Sequence, residues 1–210
     1  MKLAILGATG WIGSHILEQA VKRGHEVVSL VRDPIKISEQ KTSVVSFDLQ
    51  SEQDITSLIG DVEVLIVSVG GRANGNHQLV ADTAQRLMTA LDGSNIRIVW
   101  VGGAGSLEVA PGVTLVSTPE FPEDYKQEAL AQVEALNVFK DSKSNASWTF
   151  VSPAAFIYPG GSEGQYRIGD NTFFTNTDGE SKVSVTDYAI AMVEETENAA
   201  HLNQHMSIAY

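Results

Sequence analysis

The residues that decide the fold are Gly7-Ala8-Thr9-Gly10-Trp11-Ile12-Gly13. They follow an apolar run at 3–6 and open into a segment, 14–21, whose Ile16 and Leu17 share one helical face with Ile12. A strand, a glycine turn and a helix in this order are the context of a dinucleotide-binding loop. Glycines let the backbone approach a pyrophosphate, and the unpaired N–H groups at the helix N-terminus stabilise its charge. The loop therefore predicts a bound dinucleotide, against the alternative of a glycine turn that binds nothing.

The rest of the chain alternates between strand-type and helical patterns. Runs rich in Val, Ile and Leu lie at 26–31, 42–47, 62–67, 96–101 and 148–151, and helical segments are predicted at 52–59, 77–91 and 123–140. Continuous apolar strands joined by helices are typical of parallel sheets that are covered on both faces. We therefore predict an α/β fold with a doubly wound, mostly parallel Rossmann-type sheet and helices on both faces, in a single NAD(P)-binding domain over 1–210.

Two stretches have no clear period. Residues 108–122 carry three prolines, and we expect a surface loop or lid there. Residues 155–181 contain five glycines, and we expect a small substrate-side segment with a hairpin that pairs 166–168 with 172–174. Further on we expect a short strand at 183–185, a helix capped by Thr186 or Asp187, and an edge strand at 206–209.

The composition excludes several classes of function. Fourteen Lys and Arg residues stand against 26 acidic residues, and the net charge of −12 repels nucleic acids and anionic lipid head groups. The chain has no cysteine, which excludes disulfides, thiolate metal sites and a cysteine nucleophile. His201 and His205 are four residues apart but lack the acidic partner of a zinc motif, so we predict no metal site. The chain starts with a strand pattern and its apolar runs are shorter than a membrane span, so we expect a cytoplasmic protein with no membrane partner.

Several separated motifs together resemble one protein family. They are the glycine loop and the segments 102–107, 124–130, 152–154, 159–161 and 185–189. The combination resembles the atypical short-chain dehydrogenase/reductases, in particular their small NADH-flavin reductase-like and biliverdin reductase B-like branch. The NmrA-like regulators are similar to it as well. The resemblance covers nearly the whole chain and implies a nicotinamide-binding protein, with reduction of a flavin or quinone as the implied activity.

The order of the predicted strands indicates which residues contact the cofactor. Arg32 ends the second strand 19 residues after Gly13, where an arginine pairs with a 2′-phosphate. Arg32 therefore favours NADP, although the adjacent Asp33 leaves NAD open and an exposed arginine with no ligand is the alternative. The family resemblance implies that Asp48 approaches the adenine, and a turn or helix cap is the alternative there. The other predicted contacts are Leu49, Ser68, Val69, Gly70, Gly102, Gly103, Lys126, Ser152, Pro153 and Ala154.

The usual catalytic pair of this superfamily is absent from the sequence. In that pair a lysine four residues after a tyrosine lowers the pKa of the phenol, but here Tyr125 is followed by Lys126 and position 129 is Ala129. Epimerase or dehydratase chemistry that needs the pair is therefore disfavoured. The resemblance gives three candidate catalytic residues: Ser106, at the position of the family's serine, and Tyr125 and Lys126. A hydroxyl that only structures its loop is the alternative for Ser106. Lys126 would bind a ribose hydroxyl or the substrate, and a solvated lysine is the alternative.

We predict an NAD(P)H-dependent reductase that transfers a hydride to a flavin, quinone or similar flat acceptor. Hydride transfer between stacked rings depends on their proximity and orientation and does not require the tyrosine–lysine pair. Candidate walls for the acceptor are Val69, Gly103, Phe156 and Tyr158, with ordinary core packing as the alternative for the aromatic residues. Two other functions stay open, namely a non-catalytic NADP(H)-sensing regulatory protein and a sugar-nucleotide epimerase or dehydratase. We expect a monomer or homodimer with a small-molecule acceptor as its partner.

Overall fold

The computed structural model describes residues 1–37, 42–72 and 75–210. Its strands are β1 (Lys2–Leu6), β2 (Glu26–Val31), β3 (Thr42–Ser46), β4 (Val64–Val67), β5 (Arg97–Val101), β6 (Glu108–Ala110), β7 (Val113–Thr114), β8 (Trp148–Pro153), β9 (Phe156–Tyr158), β10 (Arg167–Gly169), β11 (Lys182–Ser184) and β12 (Gln204–Ala209). Its helices are α1 (Trp11–Lys22), α2 (Ile55–Ile59), α3 (Gln78–Ala90), α4 (Glu123–Asp141) and α5 (Val185–Asn198). No helix of the described residues is long and apolar enough to cross a membrane.

Within the described residues, eight strands form one sheet in the order β10-β12-β8-β5-β4-β1-β2-β3. Neighbouring strands run parallel except for β10, which is antiparallel to β12. The predicted doubly wound, mostly parallel α/β fold is therefore confirmed. The chain runs outward from β1 to β3 and then returns to the other side of β1 with β4. In such sheets, ligands bind in the crevice at the carboxyl ends of the strands where the order reverses.

Two apolar clusters cover the two faces of the sheet. On one face, α3 and α4 pack on the strands, and the ring of Phe139 lies 5.3 Å from the ring of Trp100 and 6.1 Å from that of Phe150. On the other face, α1 and α5 pack around Ile5, Ile16 and Tyr188, among other buried residues. Burial on both faces explains why the central strands are apolar at successive positions.

The C-terminal strands pair differently from the prediction. β10 pairs with β12 and not with 172–174, so the predicted hairpin is wrong. Thr172 instead forms a bridge with Glu108. The prediction of an edge strand at 206–209 is also wrong, because β12 lies between β8 and β10. Met206 and Ile208 are fully buried there, which an interior position allows and an edge does not favour.

Two helices begin at residues other than those predicted. Ser184 caps α5, because its Oγ accepts a hydrogen bond of 3.0 Å from the Asp187 N–H, so a cap at Thr186 or Asp187 is wrong. The carboxylate of Asp187 instead accepts bonds from Ser162 Oγ, Glu163 N–H and Tyr210 Oη at 2.5, 2.7 and 2.6 Å. Burial alone would raise the pKa of Asp187, but these bonds hold it below its usual value. The second helix, α2, is shorter than predicted and begins at Ile55.

The segment 108–122 contains more regular structure than the predicted loop or lid. β6 and β7 form an antiparallel pair in it. Its start is joined to the glycine-rich segment, because Glu108 N–H donates to Asn171 O and Phe173 N–H donates to Glu108 O, both at 2.8 Å. The segments 108–122 and 155–181, which both lack a sequence period, are therefore held together by backbone hydrogen bonds.

A buried ion pair lies at the amino end of β5, opposite the crevice. Arg97 Nη1 donates to Glu195 Oε1 at 3.1 Å, and Arg97 Nη2 donates to the carbonyls of Glu195 and Thr196 at 2.9 and 2.6 Å. Glu195 also accepts a bond of 3.1 Å from the N–H of His201. This pair connects the central sheet to the end of α5.

We expect Arg97→Met to lower the free energy of unfolding by about 3–5 kcal/mol, because it leaves the Glu195 charge buried without its main partner. Arg23→Met is the matched control. Arg23 pairs with Glu197 at the surface, where such pairs contribute about 1 kcal/mol or less. Urea unfolding followed by circular dichroism measures the stability of both variants. Equal losses of unfolding free energy would contradict a special role for the buried Arg97–Glu195 pair.

Candidate functional site

The glycine loop packs directly against the backbone at the end of β4. Gly7 has φ of +87°, and a Cβ on it would lie 2.1 Å from the carbonyl oxygen of Ser68. A Cβ on Gly13 would lie 2.2 Å from the carbonyl oxygen of Gly7. No side chain fits at either position. The two glycines therefore let β1, β4 and the start of α1 meet at the crevice.

The first turn of α1 presents its backbone donors toward solvent. Gly10 is the N-cap, no side chain of the described residues caps the helix, and no acidic residue lies in its first turn. Thr9, Gly10 and Trp11 are exposed. The free N–H groups and the positive end of the helix dipole suit an anionic group. Because the cradle excludes side chains and offers uncompensated donors, it fits the pyrophosphate of a dinucleotide.

The predicted adenosine contacts lie at the ends of β2 and β3. Arg32 is exposed directly after β2, and Asp33 caps the short helical turn that follows by accepting a 3.2 Å bond from Ile35 N–H. Asp48 uses one carboxylate oxygen to accept a 2.9 Å bond from Gln50 N–H, as in the turn alternative. Arg32 and Asp48 follow two neighbouring parallel strands, at the edge of the sheet where a ribose binds in this fold.

Glu128 of α4 holds the loop that follows β4, which contains the predicted residues Ser68, Val69 and Gly70. Its carboxylate accepts bonds from Gly71 N–H at 3.1 Å, from Arg72 N–H at 3.0 Å and from His77 Nδ1 at 3.0 Å. A Cβ on Gly70 would lie 2.8 Å from Glu128 Oε1, so the loop and the carboxylate are in close contact. This side chain fixes one wall of the crevice.

The predicted residues Gly103, Ser106 and Ser152 meet in one buried cluster. The hydroxyls of Ser106 and Ser152 both donate to Gly103 O, at 2.8 and 3.0 Å, and the two Oγ atoms lie 3.1 Å apart. Ser152 Oγ also lies 2.8 Å from Nε2 of His205. Burial, followed by the charge of Lys140, lowers the pKa of His205 to about 4. Pro153 and Ala154 are buried at the end of β8, and Gly102 packs on the ring of Phe150.

Tyr125 and Lys126 lie in the first turn of α4, on the solvent side. Tyr125 is 53% exposed, and the guanidinium of Arg72 lies 4.7 Å from the centre of its ring. Lys126 Nζ lies 3.4 Å from Glu123 Oε2. The structure thus brings Tyr125 to the loop after β4, while Ser106 lies in a separate, buried cluster. No described contact joins the three candidate catalytic residues to one another.

A stacked aromatic pair lies on β9, with Phe156 exposed and Tyr158 half-buried. Phe156 is 62% exposed, and its ring stacks on that of Tyr158 with centroids 5.6 Å apart and planes 21° apart. Tyr158 Oη donates a hydrogen bond to Glu163, and desolvation together with this bond raises the pKa of the phenol. β9 follows directly after β8, so the pair lies near the carboxyl ends of the central strands.

Comparisons with known proteins agree with this geometry. A family model described as NAD(P)H-binding matches residues 7–198. The chain belongs to this NAD(P)H-binding family. The YwnB protein of Bacillus subtilis is 38% identical, over 99% of this chain and 98% of its own length.

Two solved structures are similar to the whole chain of this NAD(P)H-binding protein. A candidate NADH-flavin reductase from Streptococcus pneumoniae is 35% identical, with a TM-score of 0.92 over 100% of this chain and 99% of its own. A candidate epimerase from Bacteroides thetaiotaomicron is 32% identical, with a TM-score of 0.87 over 100% of this chain and 96% of its own. The resemblance that the sequence motifs indicate is therefore confirmed at the level of the family.

Sequence reasoning missed three polar residues that support the crevice of this NAD(P)H-binding protein. Arg86 of α3 donates to the carbonyls of Leu49 and Ser51 at 3.1 and 2.9 Å, and to that of Gln53. Gln132 of α4 accepts from Trp100 Nε1 at 2.9 Å and donates to Val69 O at 3.2 Å. Glu128 is the third, and its place within the motif 124–130 was the available signal. Arg86 and Gln132 had no signal beyond their helical pattern.

We expect Arg32→Ala to weaken the binding of NADPH by roughly 10- to 100-fold and to leave NADH binding nearly unchanged. Only NADPH carries the 2′-phosphate, and a hydrogen bond to a charged group contributes about 1.5–3 kcal/mol. Fluorescence titration of both cofactors measures the effect. Equal losses for the two cofactors, or no loss, would remove Arg32 from the site.

We expect Glu128→Gln to weaken NADPH binding by roughly 10-fold, because the amide replaces the charged acceptor of the Gly71 and Arg72 N–H groups. Glu134→Gln is the matched control, since Glu134 is exposed on the same helix. Titration calorimetry and thermal unfolding distinguish a loosened loop from an unfolded protein. An unchanged Kd in Glu128→Gln would show that the loop keeps its position without this carboxylate.

Proposed function

We propose that this protein is an NAD(P)H-dependent reductase that transfers a hydride to a flavin, a quinone or a similar flat acceptor. The observation that carries the proposal is the side-chain-free cradle of Gly7 and Gly13 beneath the uncapped N-terminus of α1. The name of the Streptococcus pneumoniae neighbour supports the flavin alternative. NADP is the preferred cofactor in this proposal, because Arg32 follows β2 and Asp33 already caps the next turn.

Each part of the crevice has a proposed role. The first turn of α1 binds the pyrophosphate, Arg32 and Asp48 bind the adenosine end, and Lys126 binds a ribose hydroxyl of the nicotinamide half. When bound, the dihydronicotinamide supplies the hydride. The loops after β4 and β5 orient the reacting rings, and their fixed positions supply the proximity that hydride transfer needs.

The acceptor is proposed to bind beside β9. The exposed Phe156 stacks there on the half-buried Tyr158, and aromatic faces bind flat rings by offset stacking. Ser106 is the proposed hydrogen-bond donor to a carbonyl oxygen of the acceptor. Tyr125 is proposed to border the entrance of the crevice. A reaction between stacked rings is consistent with the absence of a lysine four residues after any tyrosine.

Two other functions remain alternatives to the reductase. The Bacteroides thetaiotaomicron neighbour carries the name of an epimerase, but epimerisation by the superfamily's usual route requires the tyrosine–lysine pair, and Ala129 occupies the lysine position. A redox sensor would bind NADP(H) in the same cradle and consume none. It would need a protein partner, whereas the stacked aromatic pair on β9 favours a small flat molecule.

The test is to incubate the protein with NADPH or NADH together with FMN or menadione and to follow absorbance at the nicotinamide band. We expect consumption well above the protein-free blank, with NADPH preferred. Gly13→Ala should abolish binding and turnover, because its Cβ would overlap the Gly7 carbonyl. Glu18→Ala is the control on the exposed side of α1.

Three outcomes separate the alternatives. Turnover that Gly13→Ala removes and Glu18→Ala keeps supports the reductase. Tight NADPH binding without consumption across both acceptors would replace the reductase with the sensor. Turnover that survives in Gly13→Ala would move the site away from the glycine loop.

A further inference from the structure

A short, bent line of hydrogen-bonding atoms lies in the core beneath the crevice. Ser106 Oγ lies 3.1 Å from Ser152 Oγ, which lies 2.8 Å from His205 Nε2, and Ser106 Oγ is itself 3.4 Å from His205 Nε2. The three side chains come from the turn after β5, from β8 and from β12, and all three are buried. Packing of the core does not require three buried polar side chains in contact, because apolar residues fill buried positions at a lower cost in desolvation free energy.

The hydrogen-bond geometry sets the positions of the protons in this line. Both hydroxyls donate to Gly103 O, so neither proton points to the imidazole. His205 Nε2 must then carry a hydrogen and donate it to Ser152 Oγ. His205 Nδ1 is left as an acceptor, and it is buried with no hydrogen-bond partner among the described residues. A lone pair in this position is able to take up a proton.

The two ends of the line belong to segments that reach different parts of the surface. Ser106 follows β5 at the carboxyl edge, where the acceptor is proposed to bind. His205 is one of the residues that line a cleft of about 460 Å³ at the amino ends of β8 and β12. Lys140, Asn203 and Trp148 also line this cleft, and its polar lining suits water. The line therefore joins a residue that lines the cleft to the turn after β5, at the crevice.

We propose that His205, Ser152 and Ser106 form a proton relay that carries a proton from water in the cleft to the acceptor. This inference rests on the proposed reductase and narrows its substrate to a quinone or related carbonyl compound, whose oxygen becomes a hydroxyl on reduction. A bound flavin, which is stable as the reduced anion, does not require such a relay.

The reaction balances as follows. The C4–H bond of the dihydronicotinamide breaks, its hydride reduces the quinone, and negative charge develops on a quinone oxygen. The hydroxyls of Ser106 and Ser152 first turn away from Gly103 O, to which they donate at rest. Ser106 Oγ then gives its proton to the quinone oxygen and takes one from Ser152 Oγ. Ser152 takes the Nε2 proton of His205. His205 Nδ1, which is buried at rest, takes a proton from a water of the cleft that reaches it during turnover, and bulk solvent neutralises the hydroxide that remains. The chain gains no net charge once solvent restores the Nε2 tautomer.

The surroundings of His205 keep its ring neutral between turnovers. The charged groups that act on it are Lys140 of α4, which disfavours a second proton, and Asp170 after β10, which favours one. Burial also disfavours the imidazolium, and the lowered pKa leaves the ring neutral at physiological pH. A neutral ring with one donor and one acceptor nitrogen passes a proton onward and does not retain it.

The kinetic test uses menadione, NADPH deuterated at the transferred position, and D2O. We expect His205→Gln to lower kcat by roughly 10- to 100-fold with an unchanged Kd for NADPH. Proton delivery should then limit the rate, so the solvent isotope effect rises and the effect of deuterated NADPH falls. His25→Gln is the control, since His25 bonds Glu197 far from this line. A lower kcat with an undiminished effect of deuterated NADPH would indicate a purely structural role and overturn the relay.

A second readout does not depend on turnover. The ¹⁵N resonances of His205 should show a protonated Nε2 and an unprotonated Nδ1, and Ser152→Ala should shift the Nε2 resonance. A protonated Nδ1 overturns the relay. Wild-type protein that consumes NADPH with FMN and not with menadione overturns the relay while the reductase stands. Wild-type protein that consumes NADPH with neither acceptor overturns both.

Discussion

The close approach of two backbones, at Gly7 and at the carbonyl of Ser68, is the constraint on which the rest of the crevice depends. β1 and β4 are parallel neighbours, so their chains leave the sheet at the same edge. A side chain on Gly7 would force these two exits apart. Since Gly13 rests on the carbonyl of Gly7, the direction of α1 is set by the same contact. One steric requirement thus fixes the spacing of two strands, the path of the loop and the position of the helix donors.

Charged side chains of α3 and α4, the helices on one face of the sheet, hold the loops that follow β3 and β4. Arg86 of α3 binds backbone carbonyls of the loop after β3, and Glu128 of α4 binds backbone N–H groups of the loop after β4. The sign of each charge matches the backbone groups that it meets, and hydrogen bonds to charged groups are stronger than neutral ones. Loops at a sheet edge carry backbone groups that have no hydrogen-bond partner on a neighbouring strand. The side chains of Arg86 and Glu128 supply these partners from α3 and α4. The walls of the crevice are therefore formed before any ligand arrives.

The sequence predicts most of the fold because the signals for it are local. The glycine loop, the strand periods and the helix periods each lie within about 15 residues, and the order of these elements implies the parallel sheet. The supporting contacts are not local: Glu128 binds Gly71 across 57 positions, and Ser152 meets His205 across 53. The N-cap of α5 shows that sequence prediction is limited even where the candidate residues are close together. Ser184, Thr186 and Asp187 are all good capping residues, and the contact of Asp187 with the loop at 162–164 leaves Ser184 as the cap.

The net charge of −12 and a site for an anionic ligand are compatible because the carboxylates at the crevice are occupied. Asp33 accepts a bond from a helical turn, Asp48 accepts one within a turn, and Glu128 accepts bonds from three donor groups. The nearby groups of positive sign are the N–H donors of α1, the exposed side chain of Arg32, and Lys126, which pairs with Glu123 at the surface. Beyond a Debye length of about 8 Å the acidic surface is screened, so a compact phosphate in the crevice experiences mainly these donors. A polyanion that spans the protein would meet the acidic surface as well, and this difference separates a dinucleotide from a nucleic acid.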